Sequence, residues 1–91
     1  TDGRFSGGSR GISIGHISPE AAARGPLAAV QNGDVIDIDL DRRTIDLVVD
    51  PAEVQRRLDA LPPFETDIPS RWLRRYARLV SSASTGAVFL D

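Results

Sequence analysis

Residues 31–50, QNGDVIDIDLDRRTIDLVVD, decide the fold class of this chain. A turn sequence is followed from Ile36 to Asp41 by apolar residues that alternate with aspartates. A period of two places the isoleucines and the leucine on one face of a strand and the aspartates on the other. The alternation returns from Thr44 to Val49 after a short connection at 41–43. The stretch therefore predicts a β-hairpin with one apolar and one acidic face.

The residues after the hairpin carry helix signals. Asp50-Pro51-Ala52-Glu53 is a capping-box arrangement with proline at the first helical position, and Pro62-Pro63 ends the helix. Val54, Leu58 and Leu61 share one face of it.

A second helix is predicted to begin after Ser70, which is a favourable N-cap. Its apolar stripe contains Trp72, Tyr76 and Leu79 or Val80, and we expect the two aromatic residues to belong to the core. The opposite face carries the arginines Arg71, Arg74, Arg75 and Arg78. Such a face could bind an acidic partner, although most are solvated or paired with nearby acids.

The regions outside these elements are predicted from weaker patterns. Residues 11–17, GISIGHI, predict a strand, and residues 18–26 predict a short helix of about two turns with Ser18 as its N-cap. Residues 87–90 form either a closing strand or a docked end. Together the patterns predict a mixed α/β domain, with helices in one layer on a sheet.

Composition excludes several classes of protein. The 91 residues are 41% hydrophobic and 26% charged, as expected for one ordinary globular domain. The net charge of -2 argues against nucleic-acid binding, and no apolar run is long enough to span a membrane, so a cytoplasmic location is the expectation. Because the chain contains no cysteine, it supplies no disulfide, catalytic thiol or thiolate ligand.

The first residues, TDGRFSGGSRG, raise several possible functions. Residues 7–11 fit G-x-S-x-G around Ser9, but the only histidine, His16, follows too soon for the usual order of a hydrolase triad. The stretch lacks the endings of a P-loop or dinucleotide loop, although glycine amides with Arg4 or Arg10 could clamp an anion. We interpret His16 as a structural hydrogen-bonding residue.

The aspartates of the first strand resemble the start of a calcium loop. Counted from Asp37, however, the sixth position is Arg42 rather than glycine and the twelfth is Val48 rather than glutamate. A solvated strand face is the better interpretation.

As a string, TDGRFSGGS resembles the C-terminal signature of the dihydroxy-acid dehydratase and phosphogluconate dehydratase family. GHISPEAA followed by GPLAAVQNGDVIDID, and RRYARLVSSASTGAV near the end, are similar to further stretches of that family in the same order. The resemblance covers nearly all of the chain and is closest to the dihydroxy-acid branch.

The resemblance implies a hydro-lyase that converts a 2,3-dihydroxy acid to a 2-oxo acid in branched-chain amino acid biosynthesis. It implies that Ser6 removes the C2 proton and that Arg4, Gly7, Gly8 and Ser9 bind the substrate. It also implies a swivelling β/β/α domain with a barrel-like mixed sheet and helices packed outside. A sugar-acid (aldonate) dehydratase of the same family is the alternative, and a stand-alone interaction module that uses the arginine face is the alternative of another class.

The resemblance further implies an iron-sulfur cluster as Lewis acid and a Mg ion near the substrate carboxylate. In the family these groups are held by an N-terminal domain that this chain lacks. We therefore expect residues 1–91 to be a single domain, the C-terminal fragment of a larger dehydratase, binding no cofactor and inactive alone. The expected partners are its own N-terminal domain, the small substrate and, at full length, a second copy in a homodimer, but neither nucleic acid nor a membrane.

Overall fold

A computed structural model describes residues 1–65 and 67–90 as a small mixed α/β structure. In the described part, a two-stranded antiparallel sheet is followed by two α-helices. These elements are β1 (Val35–Asp39), β2 (Thr44–Val48), α1 (Pro51–Ala60) and α2 (Arg71–Leu79). Three short 3₁₀ turns complete the described elements: Ala21–Ala23, Pro26–Ala29 and Ala83–Thr85. The mixed α/β class is confirmed, while the sheet of the described residues is open rather than closed into a barrel.

The predicted hairpin is confirmed. β1 and β2 pair in a single register that places Ile38 opposite Ile45 and Asp37 opposite Asp46. The side chain of Asp39 accepts a hydrogen bond of 2.9 Å from the backbone amide of Arg42, which stabilises the connecting turn. The aspartates therefore serve the hairpin and its solvated face, and no calcium loop forms.

The helix α1 begins where its capping residues predict. Asp50 Oδ1 accepts a hydrogen bond of 2.8 Å from the Ala52 amide, and Pro51 occupies the first turn. Glu53 does not complete a capping box, because its carboxylate pairs instead with Arg56 and Arg57. The helix lies against the 3₁₀ turn Pro26–Ala29, on the side from which the chain enters the hairpin.

The helix α2 also begins as predicted, with Ser70 Oγ accepting a hydrogen bond of 3.3 Å from the Leu73 amide. The prediction that its aromatic residues are core is wrong, since Trp72 is 80% exposed and Tyr76 43% exposed. Within the described chain, the apolar side of α2 meets chiefly the tail, where Phe89 packs edge-to-face on Tyr76 with ring centroids 5.8 Å apart. The described part of the tail pairs with the end of α2 through one antiparallel bridge, between Val80 and Phe89. It does not extend into a closing strand.

The predictions for residues 11–26 are corrected by the structure. Residues 11–17 form no strand, because their only backbone pairing within the described chain is a short contact of Ile14, His16 and Ile17 with residues 1–3. The two-turn helix is replaced by the 3₁₀ turn Ala21–Ala23, whose N-cap is Glu20 rather than Ser18. Arg24 ends that turn in the left-handed region at φ 60°, so the helix cannot continue.

The described chain buries little apolar surface of its own. Ala29, at 3% exposure, is its only buried apolar side chain. The Cα radius of gyration is 15.0 Å, whereas a compact domain of this length has about 12 Å. Its accessible surface is 7624 Å², against roughly 5,200 Å² for a compact monomer of this mass. Much of the apolar pattern in the sequence therefore faces outward.

No helix within residues 1–65 and 67–90 has the length and apolar content needed to cross a membrane.

Candidate functional site

The glycine-rich segment forms a loop that closes at its base. His16 N donates to Gly3 O at 3.0 Å, and Ile17 N donates to Thr1 O at 3.2 Å. Between these paired ends, residues 4–15 make no regular secondary structure. We call residues 4–15 the signature loop.

Ser6 lies exposed in the signature loop, next to Phe5. Phe5 shares an open apolar groove with Ile12 and the hairpin residues Ile38 and Leu40. The Ser6 hydroxyl has no hydrogen-bond partner among the described residues, so it is available to a group outside this chain. Chemically, a serine hydroxyl removes a proton from carbon only when other groups stabilise its alkoxide.

Gly7 and Gly8 have a conformation that other residues rarely adopt. Their φ angles are 120° and 67°, and a Cβ built on either would meet no atom within 4 Å. Glycine is therefore required at these positions by the backbone angle rather than by crowding within this chain. The backbone beside Ser6 is therefore not covered by the described residues at these two positions.

The remaining predicted loop residues are also exposed. Arg4, Ser9 and Arg10 make no side-chain hydrogen bond to the other described residues. His16 has φ 52° and takes part through its backbone amide in closing the loop, and no hydrogen bond joins its ring to Ser9 in the described part of the chain. The triad arrangement of a serine hydrolase is thus absent there, and the interpretation of His16 as a structural hydrogen-bonding residue stays a prediction for its ring.

Two carboxylates that the sequence patterns did not single out fasten the loop. Asp2 Oδ2 accepts a hydrogen bond of 2.7 Å from Ala21 N, the first amide of the 3₁₀ turn Ala21–Ala23. Glu20 Oε1 accepts from Ser82 Oγ at 3.3 Å and from Ala83 N at 3.0 Å. Their positions inside TDGRFSGGS and GHISPEAA were the only sequence signal for a role of Asp2 and Glu20, because the amides they bind lie 19 and 63 residues away in sequence.

An ion-pair network links the hairpin to α1. Arg57 Nη1 lies 2.8 Å from Asp34 Oδ2, with side-chain exposures of 13% and 11%, and Arg57 Nε lies 3.0 Å from Glu53 Oε1. Hydrogen bonding from Arg57, and then from the Gln31 amide, lowers the pKa of Asp34. Hydrogen bonds from Arg56 and then Arg57 lower the pKa of Glu53 to about 2. These groups are charged at neutral pH and hold the scaffold that carries the loop.

The arginine face of α2 is exposed. Arg74 donates to the carbonyl oxygens of Ile68 at 2.9 Å and Pro69 at 3.3 Å. Of the four arginines on this face, Arg74 thus holds the segment that leads into the helix.

The described residues of this chain do not form a site that fits an iron-sulfur cluster or a magnesium ion. The sequence has no cysteine, and in residues 1–65 and 67–90 no group of three or more histidine, aspartate or glutamate side chains is placed to hold a metal.

Comparison with known proteins identifies the family. The family model described as dihydroxy-acid/6-phosphogluconate dehydratase, C-terminal, matches residues 1–87. A dihydroxy-acid dehydratase of Caldicellulosiruptor bescii is 58% identical over 88 residues, which are 97% of this chain and 16% of that protein. One from Nitratidesulfovibrio vulgaris strain Hildenborough is 61% identical over 87 residues, 96% of this chain and 16% of that protein. The chain thus spans about one sixth of the length of these relatives. Since the match runs through the signature loop, the hairpin and both helices, the chain belongs to the dihydroxy-acid/6-phosphogluconate dehydratase family.

Proposed function

We propose that this chain is the C-terminal active-site part of a hydro-lyase that dehydrates 2,3-dihydroxy acids to 2-oxo acids. The observation that carries the proposal is the family match over residues 1–87, which includes the exposed loop with Ser6. The relatives at 55% to 61% identity bear the name dihydroxy-acid dehydratase, which favours branched-chain precursors over sugar acids as substrates.

In the proposed reaction Ser6 acts as the base. Its alkoxide takes the proton from C2, the electron pair of the C2–H bond forms the C2–C3 double bond, and the C3–O bond breaks. The hydroxide that leaves takes the proton back from Ser6 and is released as water, which restores the alkoxide. The resulting enol tautomerises to the 2-oxo acid. Arg4 neutralises the substrate carboxylate or fixes the loop, Ser9 donates a hydrogen bond, and the open backbone at Gly7 and Gly8 admits the substrate closely.

The proposed partner is the N-terminal domain of the same enzyme. The accessible surface exceeds that of a compact monomer by about 2,400 Å², which is the scale of one side of a large, permanent interface. The exposed apolar residues include Ile12, Leu40, Trp72 and Phe89, on both the hairpin and the α2 sides. Docking would cover these faces, could close the open hairpin into a barrel-like sheet of a swivelling β/β/α domain, and would bring the loop to a cluster and Mg ion held by the other domain. The full-length enzyme is proposed to be a cytoplasmic homodimer.

Substitution of Ser6 tests the proposal in the full-length enzyme. Ser6→Ala should abolish turnover of dihydroxyisovalerate while the cluster content and the circular dichroism spectrum stay unchanged. Ser13→Ala, at another exposed serine of the same loop, is the matched control and should retain turnover. Near-normal turnover by Ser6→Ala would remove Ser6 from the mechanism.

The substrate is tested separately with the wild-type full-length enzyme. Assays with dihydroxyisovalerate and with a C5 or C6 aldonate should show the higher kcat/KM for dihydroxyisovalerate. A preference for the aldonate would assign the chain to the sugar-acid alternative without changing the reaction type.

A further inference from the structure

Asp2 and Glu20 each stabilise the beginning of a 3₁₀ turn to which they do not belong. Glu20 is the N-cap residue of the turn Ala21–Ala23, yet its own side chain makes no capping bond there. The Ala21 amide donates its hydrogen bond to Asp2 Oδ2 instead, at 2.7 Å. The carboxylate of Glu20 instead receives the amide of Ala83, the first residue of the turn Ala83–Thr85.

These bonds form a series that runs from the signature loop to the tail. Asp2 ties the start of the loop to the turn at 21–23, and Glu20 ties that turn to Ser82 and Ala83. Both carboxylates are half-buried. The first amides of a helical turn have no partner within the turn, so a side-chain acceptor is a substantial local stabiliser.

Ser6 lies close along the chain to this series. Ser6 is four residues from Asp2, and an extended chain of four residues reaches as far as ~14 Å. The exposed residues around Ser6 make no side-chain hydrogen bond to the described part of the chain, so the loop is held mainly at its base. Three main-chain hydrogen bonds, from Thr1 N to Ile14 O, His16 N to Gly3 O and Ile17 N to Thr1 O, and the Asp2 carboxylate supply that restraint.

We propose that Asp2 and Glu20 are positioning residues that hold Ser6 in its reactive place by capping the turns at 21–23 and 83–85. The inference rests on the proposed function of Ser6. Each acts as a hydrogen-bond acceptor rather than as a charge toward the substrate. A side-chain amide, which keeps an acceptor oxygen of the same reach, should therefore replace either carboxylate, whereas alanine should not.

Steady-state kinetics of the full-length enzyme test the role of the acceptor. Asp2→Ala should lower kcat roughly 3- to 30-fold, the factor that corresponds to a lost capping bond, with KM changed less than about threefold. Asp2→Asn should restore most of the loss, and Glu20→Ala and Glu20→Gln should repeat the pattern. Asp37→Asn, the same change on the exposed hairpin face, should leave kcat unchanged. An Asp2→Asn enzyme as impaired as Asp2→Ala would overturn the proposal, because it would show that the charge is what matters.

Limited trypsin digestion measures how accessible the signature loop is to cleavage and does not depend on catalytic activity. Arg4 and Arg10 are exposed cleavage sites within the loop, and Arg43 in the hairpin turn is an internal reference. Asp2→Ala should speed cleavage at Arg4 and Arg10 several-fold relative to Arg43, and Asp2→Asn should not. Unchanged relative cleavage in Asp2→Ala would refute the proposal. This result holds whether or not Ser6 is the base, so a failure of the catalytic role would be seen separately in Ser6→Ala. If Asp2→Ala does not fold, Glu20→Ala in the same digestion decides.

Discussion

Replacement of Gly25 by alanine is expected to open the segment that supports the signature loop. Gly25 is buried, and a Cβ built on it would lie 2.5 Å from the carbonyl oxygen of Pro19 and 2.9 Å from both its carbonyl carbon and its Cβ. Its φ of -68° suits any residue, so glycine is needed for space and not for backbone freedom. Because the atoms in the way are mostly backbone, residues 19–25 must move apart.

The size of the effect follows from this overlap. Forcing one extra methyl group into a packed site destabilises it by typically 1–3 kcal/mol. Since about 1.4 kcal/mol is a factor of ten, amides whose exchange depends on opening of residues 19–25 should exchange roughly 5- to 150-fold faster. Hydrogen exchange of the full-length protein, followed by mass spectrometry of a peptide that covers residues 19–30, measures this rate.

Gly33→Ala is the matched control for that experiment. Gly33 has φ 92° but no atom within 4 Å of a built Cβ, so only the backbone angle resists the change. Its faster exchange should be confined to the hairpin turn, at a penalty of about 1–2 kcal/mol. If the amides of residues 19–30 exchange in Gly25→Ala at the same rate as in the wild type, the reasoning is refuted, because the close approach to Pro19 then does not exist.

Two further predictions concern α1. Glu53, whose pKa is lowered from 4.5 to about 2 by hydrogen bonds from Arg56 and then Arg57, stabilises the folded form fully above pH 4.5 and loses this contribution as the pH falls toward 2. The difference in thermal midpoint between wild type and Glu53→Gln should therefore be present at pH 5 and vanish near pH 2, and a constant difference across this range would contradict the assignment. Arg24→Met removes the hydrogen bonds that the guanidinium group donates to the carbonyl of Leu58, at 2.8 Å, and to carbonyls of the residues just after α1. The amides in the last turn of α1 should therefore exchange faster, while those in its first turn should not. Equal rates in both turns would show that these bonds do not hold the helix end.

The sequence was sufficient to predict those elements whose stabilising contacts are local. The hairpin follows from strict alternation between Ile36 and Asp41, and both α-helices follow from caps only two or three residues from the amides they bind, at Asp50 and Ser70. Ser6 was found through a family signature whose match is confirmed over residues 1–87, while its role as base stays a prediction.

Two failures of sequence reasoning involve partners distant in the chain or outside it. Residues 11–17 alternate like a strand, but a strand needs a partner along its length, and among the described residues only Thr1 and Gly3 bond to the end of this stretch. Trp72 has the spacing of a core residue, yet 80% of it is exposed because no described element covers that side of α2. Periodicity shows which face is apolar and does not show what covers that face.

The sequence by itself determined the hairpin, the two α-helices, the family and the candidate base, since each depends on residues that are neighbours along the chain. Only the tertiary structure decided how the loop with Ser6 is held. Asp2 meets Ala21, Glu20 meets Ala83 and Asp34 meets Arg57 across 19, 63 and 23 residues. An acidic side chain can accept from any amide or guanidinium that folding brings within about 3 Å, and its sequence neighbours do not specify which one.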